Sequence, residues 1–211
     1  SSIAQVMLEH EIESTGKSRD EIIARMAAQY QVMKRSAAEG LRGLRSRSGL
    51  CGGDARLLDV YIQKGPLLTG GAFPRAINYA IAVNECNAHM GIICASPTAG
   101  ACGVLPGVLI AAQERLHKSD EEMTMALFCA GAIGFVIANN VFISGVKGSC
   151  QAETGSAAAM AAAAVTELSG GTPQQAANAA GMTLKNMLVL PCDPLAGLVE
   201  VPCIKRNAGG A

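Results

Sequence analysis

Between Met123 and Val146 the chain carries no charged side chain. A stretch of that kind has to leave water, either into a protein core or into a bilayer. Its strongly apolar part runs only from Met125 to Ala138 before Asn139 and Asn140 interrupt it. A span needs about 20 apolar residues, so the stretch reads as a buried helix at the centre of a helical domain. Half of the residues are apolar but only 3% are aromatic, and 24 are glycine. The core must therefore come from Ala, Val, Ile, Leu and Met, with helices packed closely through small side chains. Alternating β-branched patterns are scarce. The expected fold is all-α, a multi-helix bundle with a central apolar helix, and residues 1–211 form one domain.

Charge excludes some functions. There are 17 acidic and 17 basic residues, so no net field favours nucleic acid or an anionic membrane surface. Arg42, Arg45 and Arg47 cluster in a Gly/Ser-rich stretch that reads as a solvated loop. Eight cysteines could form disulfides in a secreted chain, but they sit in apolar or glycine-rich surroundings and no signal peptide is evident. Reduced thiols and a cytoplasmic location are the expectation. The sequence contains no Cys-x-x-Cys, which removes support for a zinc ribbon or a thioredoxin-type site.

Helix signals recur along the chain. Residues 2–13 place Ile3, Val6 and Met7 on one side, and Gly16 ends that helix. Ser18-Arg-Asp-Glu21 is a capping-box pattern before the stripe Ile22, Ile23, Met26, Tyr30, Met33 and Ala37, which stops at Gly40. A helix over 55–63 follows. Thr69-Gly70-Gly71 then leads into Pro74 and a helix over 75–90 that carries Asn78, Asn84, Glu85, Asn87 and His89. Ser96-Pro-Thr-Ala-Gly-Ala-Cys-Gly103 breaks helicity before a helix over 104–116. Ser119-Asp-Glu-Glu122 opens the central helix, expected to reach Ser144-Gly145. Residues 146–150 read as a loop, and an Ala-rich helix then runs to Leu168. Thr172-Pro-Gln-Gln175 starts a final helix reaching about Leu188. Glycine-rich loops between helices are left to carry the chemistry. Cys86, Cys94 and Cys102 read as core residues.

Three cysteines have distinctive settings. Cys150 lies in Gly-Ser-Cys-Gln-Ala-Glu-Thr-Gly, Cys192 in Pro-Cys-Asp-Pro and Cys203 in Val-Pro-Cys-Ile, spaced 42 and 11 residues apart. Proline fixes φ and removes a donor, so the backbone at Cys192 and Cys203 is expected to be stiff and non-helical. Stiff loop cysteines beside glycines can present thiolates to an iron–sulfur cluster. The competing reading is that they are small buried hydrophobes.

Taken together, Ser96-Pro-Thr-Ala-Gly-Ala-Cys-Gly103, Gly148-Ser-Cys-Gln-Ala-Glu-Thr-Gly155, Cys192-Asp-Pro-Leu-Ala-Gly-Leu-Val-Glu-Val-Pro-Cys203 and Ile204-Lys-Arg-Asn207 resemble the iron–sulfur-dependent bacterial L-serine dehydratases. The likeness covers nearly the whole chain, including Met7-Leu-Glu and Asn84-Glu85, and points to the catalytic part, called the α subunit where the enzyme is split. The resemblance implies a [4Fe–4S] cluster on Cys150, Cys192 and Cys203. One iron would polarise the serine hydroxyl as a Lewis acid, and the products would be pyruvate and ammonia, without pyridoxal phosphate. Thr69, Gly70 and Gly71, with Ser96, Thr98, Ala99 and Gly100, are the expected cradle for the substrate carboxylate and ammonium. Lys147 and His89 are the candidate bases, His89 also reading as a partly buried helix histidine. Against the family pattern, the chain stops at Ala211, soon after the last cysteine, and a regulatory domain or β subunit is not part of it. The expectation is a C-terminally incomplete catalytic domain, weak or inactive alone, that forms a homodimer and needs that partner. The alternatives are the same site acting on another small amino or hydroxy acid, or a non-catalytic helical module with core cysteines.

Overall fold

The computed structural model describes residues 1–143, 145–188 and 190–211, with Gly145, Val146 and Lys147 described by their backbone. The helices are α1 (Ile3–Thr15), α2 (Arg19–Gly40), α3 (Asp54–Lys64), α4 (Ala72–Ala88), α5 (Val104–Leu116), α6 (Asp120–Asn140), α7 (Gly145–Cys150), α8 (Ser156–Leu168), α9 (Pro173–Asn186) and α10 (Glu200–Gly210). A 3-10 turn at Ala99–Ala101 precedes α5, and a π-helical segment at Gln151–Gly155 joins α7 to α8. Among the described residues there is no strand, only isolated bridges at Arg45–Gly52 and Leu195–Leu198. The chain is all-α, as expected.

Several ends follow directly from local sequence. The Ser18, Ser119 and Thr172 side chains accept from the backbone N–H three residues on, and at Ser119 and Thr172 the Glu122 and Gln175 side chains close the box in return. Other helices are capped from a distance. The Glu85 carboxylate accepts from the N–H groups of Asp54 and Ala55 at the start of α3, at 2.8 and 3.4 Å. Glu167 on α8 accepts from Ile3 and Ala4 at the start of α1, at 2.6 and 3.1 Å.

Two adjoining cores share α6 and α8. One gathers Tyr30, Met33, Val83, Leu105, Leu109, Met123, Leu127 and Met160 from α2, α4, α5, α6 and α8. The other packs Leu8, Ile22, Phe128 and the small residues Ala159, Ala163 and Ala176. Small residues set the spacing: a β-carbon on Gly107 of α5 would lie 2.7 Å from the Ala76 carbonyl oxygen of α4. A smaller cluster of Ala55, Ile81, Ala82 and Ile204 fixes α3 and α10 to α4.

The central helix departs from expectation. It ends at Asn140, short of Ser144–Gly145, and only its first half, Met123 to Ala130, is buried. Phe135 and Val136 are 51% and 59% exposed. By length and composition α6 could cross a membrane, but its first half lies in both cores. The second half keeps Ile133 and Ile137 packed against the cores and borders an apolar cleft of about 680 Å³ lined by Val136, Val141, Phe142, Ala152 and Leu184.

Candidate active site

The C-terminal part of α4, the start of α5, the π-helical segment and α10 meet around the 96–103 loop. Asn84 and Asn87, near the C-terminus of α4, donate to the carbonyls of Gly100 and Ala99 at 3.4 and 3.1 Å. From the other side comes Asn207 of α10, fully buried. Its amide nitrogen donates to the Gly100 and Cys203 carbonyls at 2.7 and 2.8 Å. Its oxygen accepts from the N–H groups of Gly103 and Val104 at 2.8 and 3.1 Å, which caps α5. One side chain thus binds the loop, the start of α5 and the backbone of Cys203, with its hydrogen-bonding capacity filled.

Cys150 is buried, Cys203 half-buried and Cys192 exposed. Burial pushes the Cys150 thiol up, and the charge of Cys192 adds to this while Arg206 opposes it. Cys203 is pushed up to about 11, by burial first and then by Cys150, Glu153, Cys192 and Asp193. The three thiols therefore lie within electrostatic reach of one another although they come from three separate segments. Among the described residues no three Cys, His, Asp or Glu side chains are close enough to hold a single metal ion. A polynuclear cluster spreads its thiolates further apart, and mutually disfavoured thiolates suit a cationic metal group that deprotonates them on binding. The donor set fits such a group.

The local backbone differs from the expected loops. Cys203 is helical: Pro202 sits in the first turn of α10, where its missing N–H has no helical partner to lose, and the Cys203 N–H bonds the Val199 carbonyl at 2.9 Å. Cys150 ends α7 rather than lying in a loop. Ser149 before it has φ 54° and ψ −166°, a conformation suited to glycine. The π-helical segment follows Cys150 at once, and such segments are rare and concentrate at functional sites. Cys192 precedes a tight two-residue turn in which Leu195 and Leu198 exchange N–H to carbonyl bonds, with Ala196 and Gly197 both at positive φ. Arg206 secures this segment through the Pro191 carbonyl at 3.4 Å and the Asp193 carboxylate at 3.3 Å.

The substrate-cradle residues divide. Ser96, Thr98, Ala99 and Gly100 belong to the junction, and Ser96 is buried with its hydroxyl unpartnered. Thr69, Gly70 and Gly71 do not join them. They feed the N-terminus of α4, whereas the 96–103 loop contacts its C-terminal part, and about 20 Å of helix separates Gly71 from Asn84. His89 is exposed at the end of α4, with its Nδ1 2.7 Å from the Arg45 carbonyl oxygen. The Lys147 side chain lies outside the described residues. Cys86 and Cys102 are buried and Cys94 half-buried, as core residues should be.

Glu153, Arg206 and Asn207 received no role from sequence. Each had a signal: Glu153 stands three residues after Cys150, and Arg206 and Asn207 follow Cys203 by three and four, one helical turn in each case. Glu153 accepts the Thr98 hydroxyl at 2.8 Å, tying the π-helical segment to the 96–103 loop.

Fold and junction together define an all-α protein in which the 96–103 loop is held between helices. Residues 1–211 match the serine dehydratase alpha chain family, and the chain belongs to it. It is 54% identical over 209 residues to the probable L-serine dehydratase alpha chain of Bacillus subtilis, covering 99% of this chain and 70% of that one. The L-serine dehydratase alpha chain of Peptoniphilus asaccharolyticus is 39% identical over 209 residues, 99% of this chain and 72% of its own. The L-serine dehydratase of Streptomyces coelicolor is 36% identical across this whole chain, which covers 46% of it.

Proposed function

We propose that this chain deaminates L-serine to pyruvate and ammonia, with a [4Fe–4S] cluster held by Cys150, Cys192 and Cys203. The observation that supports the reading is that these three thiols, from separate segments, lie within electrostatic reach of one another, with the Cys203 backbone tied to Gly100 of the 96–103 loop through Asn207. The names of the similar alpha chains support the substrate. When bound, the cluster would supply a Lewis acid for the serine hydroxyl.

The chain's own residues supply binding and orientation. The N–H groups of Ala99 and Gly100 begin the 3-10 turn and have no partner within it, so they are suited to the serine carboxylate. Asn84 and Asn207 hold the Gly100 carbonyl, and Asn87 holds the Ala99 carbonyl, whose peptide plane carries the Gly100 N–H. The Ser96 hydroxyl is a further donor buried in the same loop. Arg206 holds the Cys192 segment against α10. A β chain or equivalent domain would complete the enzyme, a second copy would make a homodimer, and free thiols suit a cytoplasmic location.

Anaerobic iron and sulfide analysis after reconstitution tests the reading. About four irons are expected per chain, lost in a Cys192→Ala copy. Absence of iron from the unaltered protein, or full retention by the variant, would reject the ligand set.

A further inference from the structure

One carboxylate occupies the boundary between the loop and the thiols. Glu153 is half-buried in the π-helical segment. Its Oε1 accepts the Thr98 hydroxyl at 2.8 Å, which fixes the carboxylate in orientation. Its Oε2 lies against Gly100, where an added β-carbon would approach within 2.8 Å. A side chain at residue 100 would therefore displace this oxygen from its place against the loop. Its charge is also felt at Cys150 and Cys203. The other acid near these thiols, Asp193, is paired with Arg206 on an exposed turn. His89 is engaged with the Arg45 carbonyl at the exposed end of α4.

We propose that Glu153 is the catalytic base of the dehydration, accepting the Cα proton of serine bound at the 96–103 loop. The inference rests on the serine-deaminating reading above. The Cα–H bond breaks and its proton moves to Oε2. The electron pair left behind becomes the Cα=Cβ bond. The Cβ–O bond breaks and the hydroxyl oxygen leaves with its pair. That hydroxide and the proton on Glu153 make one water, and the carboxylate is restored. Thr98 acts as a positioning residue through its bond to Oε1.

The test uses the iron-loaded holoenzyme, with iron content, serine kinetics and equilibrium affinity for L-alanine, which lacks the leaving hydroxyl. Glu153→Gln should lower kcat by about 10²- to 10⁴-fold. Iron content and L-alanine affinity should stay within about twofold of wild type, because binding is retained and only the proton acceptor is lost. Gly100→Ala should displace a flexible carboxylate rather than backbone, lowering kcat by more than about tenfold with the melting temperature unchanged. Wild-type kcat in either variant overturns the proposal. So does an L-alanine affinity that falls in Glu153→Gln as far as kcat does, since that marks an ammonium ligand. Lack of iron in the wild-type protein would instead fail the reading beneath it, a result separable from the others.

Discussion

Ser149 and Glu85 each hold a conformation or charge state that their residue type disfavours. At Ser149 the backbone adopts φ 54°, ψ −166°, which glycine reaches without a β-carbon clash. Ser149→Gly should therefore raise the stability of the metal-free chain by about 1 kcal/mol, read from the urea midpoint. Glu85 is buried, with one carboxylate oxygen on the α3 N–H groups and the other unpartnered. Burial pushes its carboxyl above the usual range despite the opposing N–H donors. The folded chain thus keeps this proton to higher pH than the unfolded chain does. Its contribution is complete below the unfolded value, about 4.3, and is lost as pH rises through the raised one. Glu85→Gln has no such loss. Urea unfolding of both proteins should show wild type losing stability relative to Glu85→Gln as pH rises above the unfolded value of about 4.3.

At the scale of helices, side chains reaching across the fold do what local caps do elsewhere. Asn207 ends the hydrogen-bond deficit of α5 and holds Gly100 and Cys203 together. Asn207→Ala would leave two buried N–H groups and two carbonyls without that partner. At about 1–3 kcal/mol for each unsatisfied buried group, a loss of about 3 kcal/mol or more is expected, with amide exchange at Gly103 and Val104 accelerated. This contrast also explains what could be read in advance. The starts at Ser18, Ser119 and Thr172 were legible because cap and capped N–H are three residues apart. The caps of α3 by Glu85 and α5 by Asn207 were not, because 31 and 104 residues separate the partners. The helical setting of Cys203 was obscured because a proline may end a helix or occupy its first turn, and only packing against α4 decides. The Thr69–Gly71 turn looked like a partner for the 96–103 loop because both contain glycine and hydroxyls, but they flank opposite ends of one helix.

Across the whole molecule, apolar surface is unevenly covered. The charge-free run was legible as a core helix through its composition, yet composition could not show that full burial ends at Ala130 and that only Ile133 and Ile137 stay packed against the cores after it. Beyond that point Val136 and Val141 face solvent beside the cleft. Exposed apolar patches of this kind promote association. Val136→Lys should lower the weight-average mass of the isolated chain by light scattering at high concentration, with no change in helical content. The π-helical segment at Gln151–Gly155 has a consequence for what the chain can tolerate over evolutionary change. Removing one residue there would let Cys150 join α8 in regular helical register, turning it by about 100° around the axis. Substitutions in this segment would leave the aim of that thiol intact, whereas a single-residue deletion would swing it away from Cys203 while the hydrophobic core stayed in register. The length of these five residues, as much as their identity, is therefore under constraint.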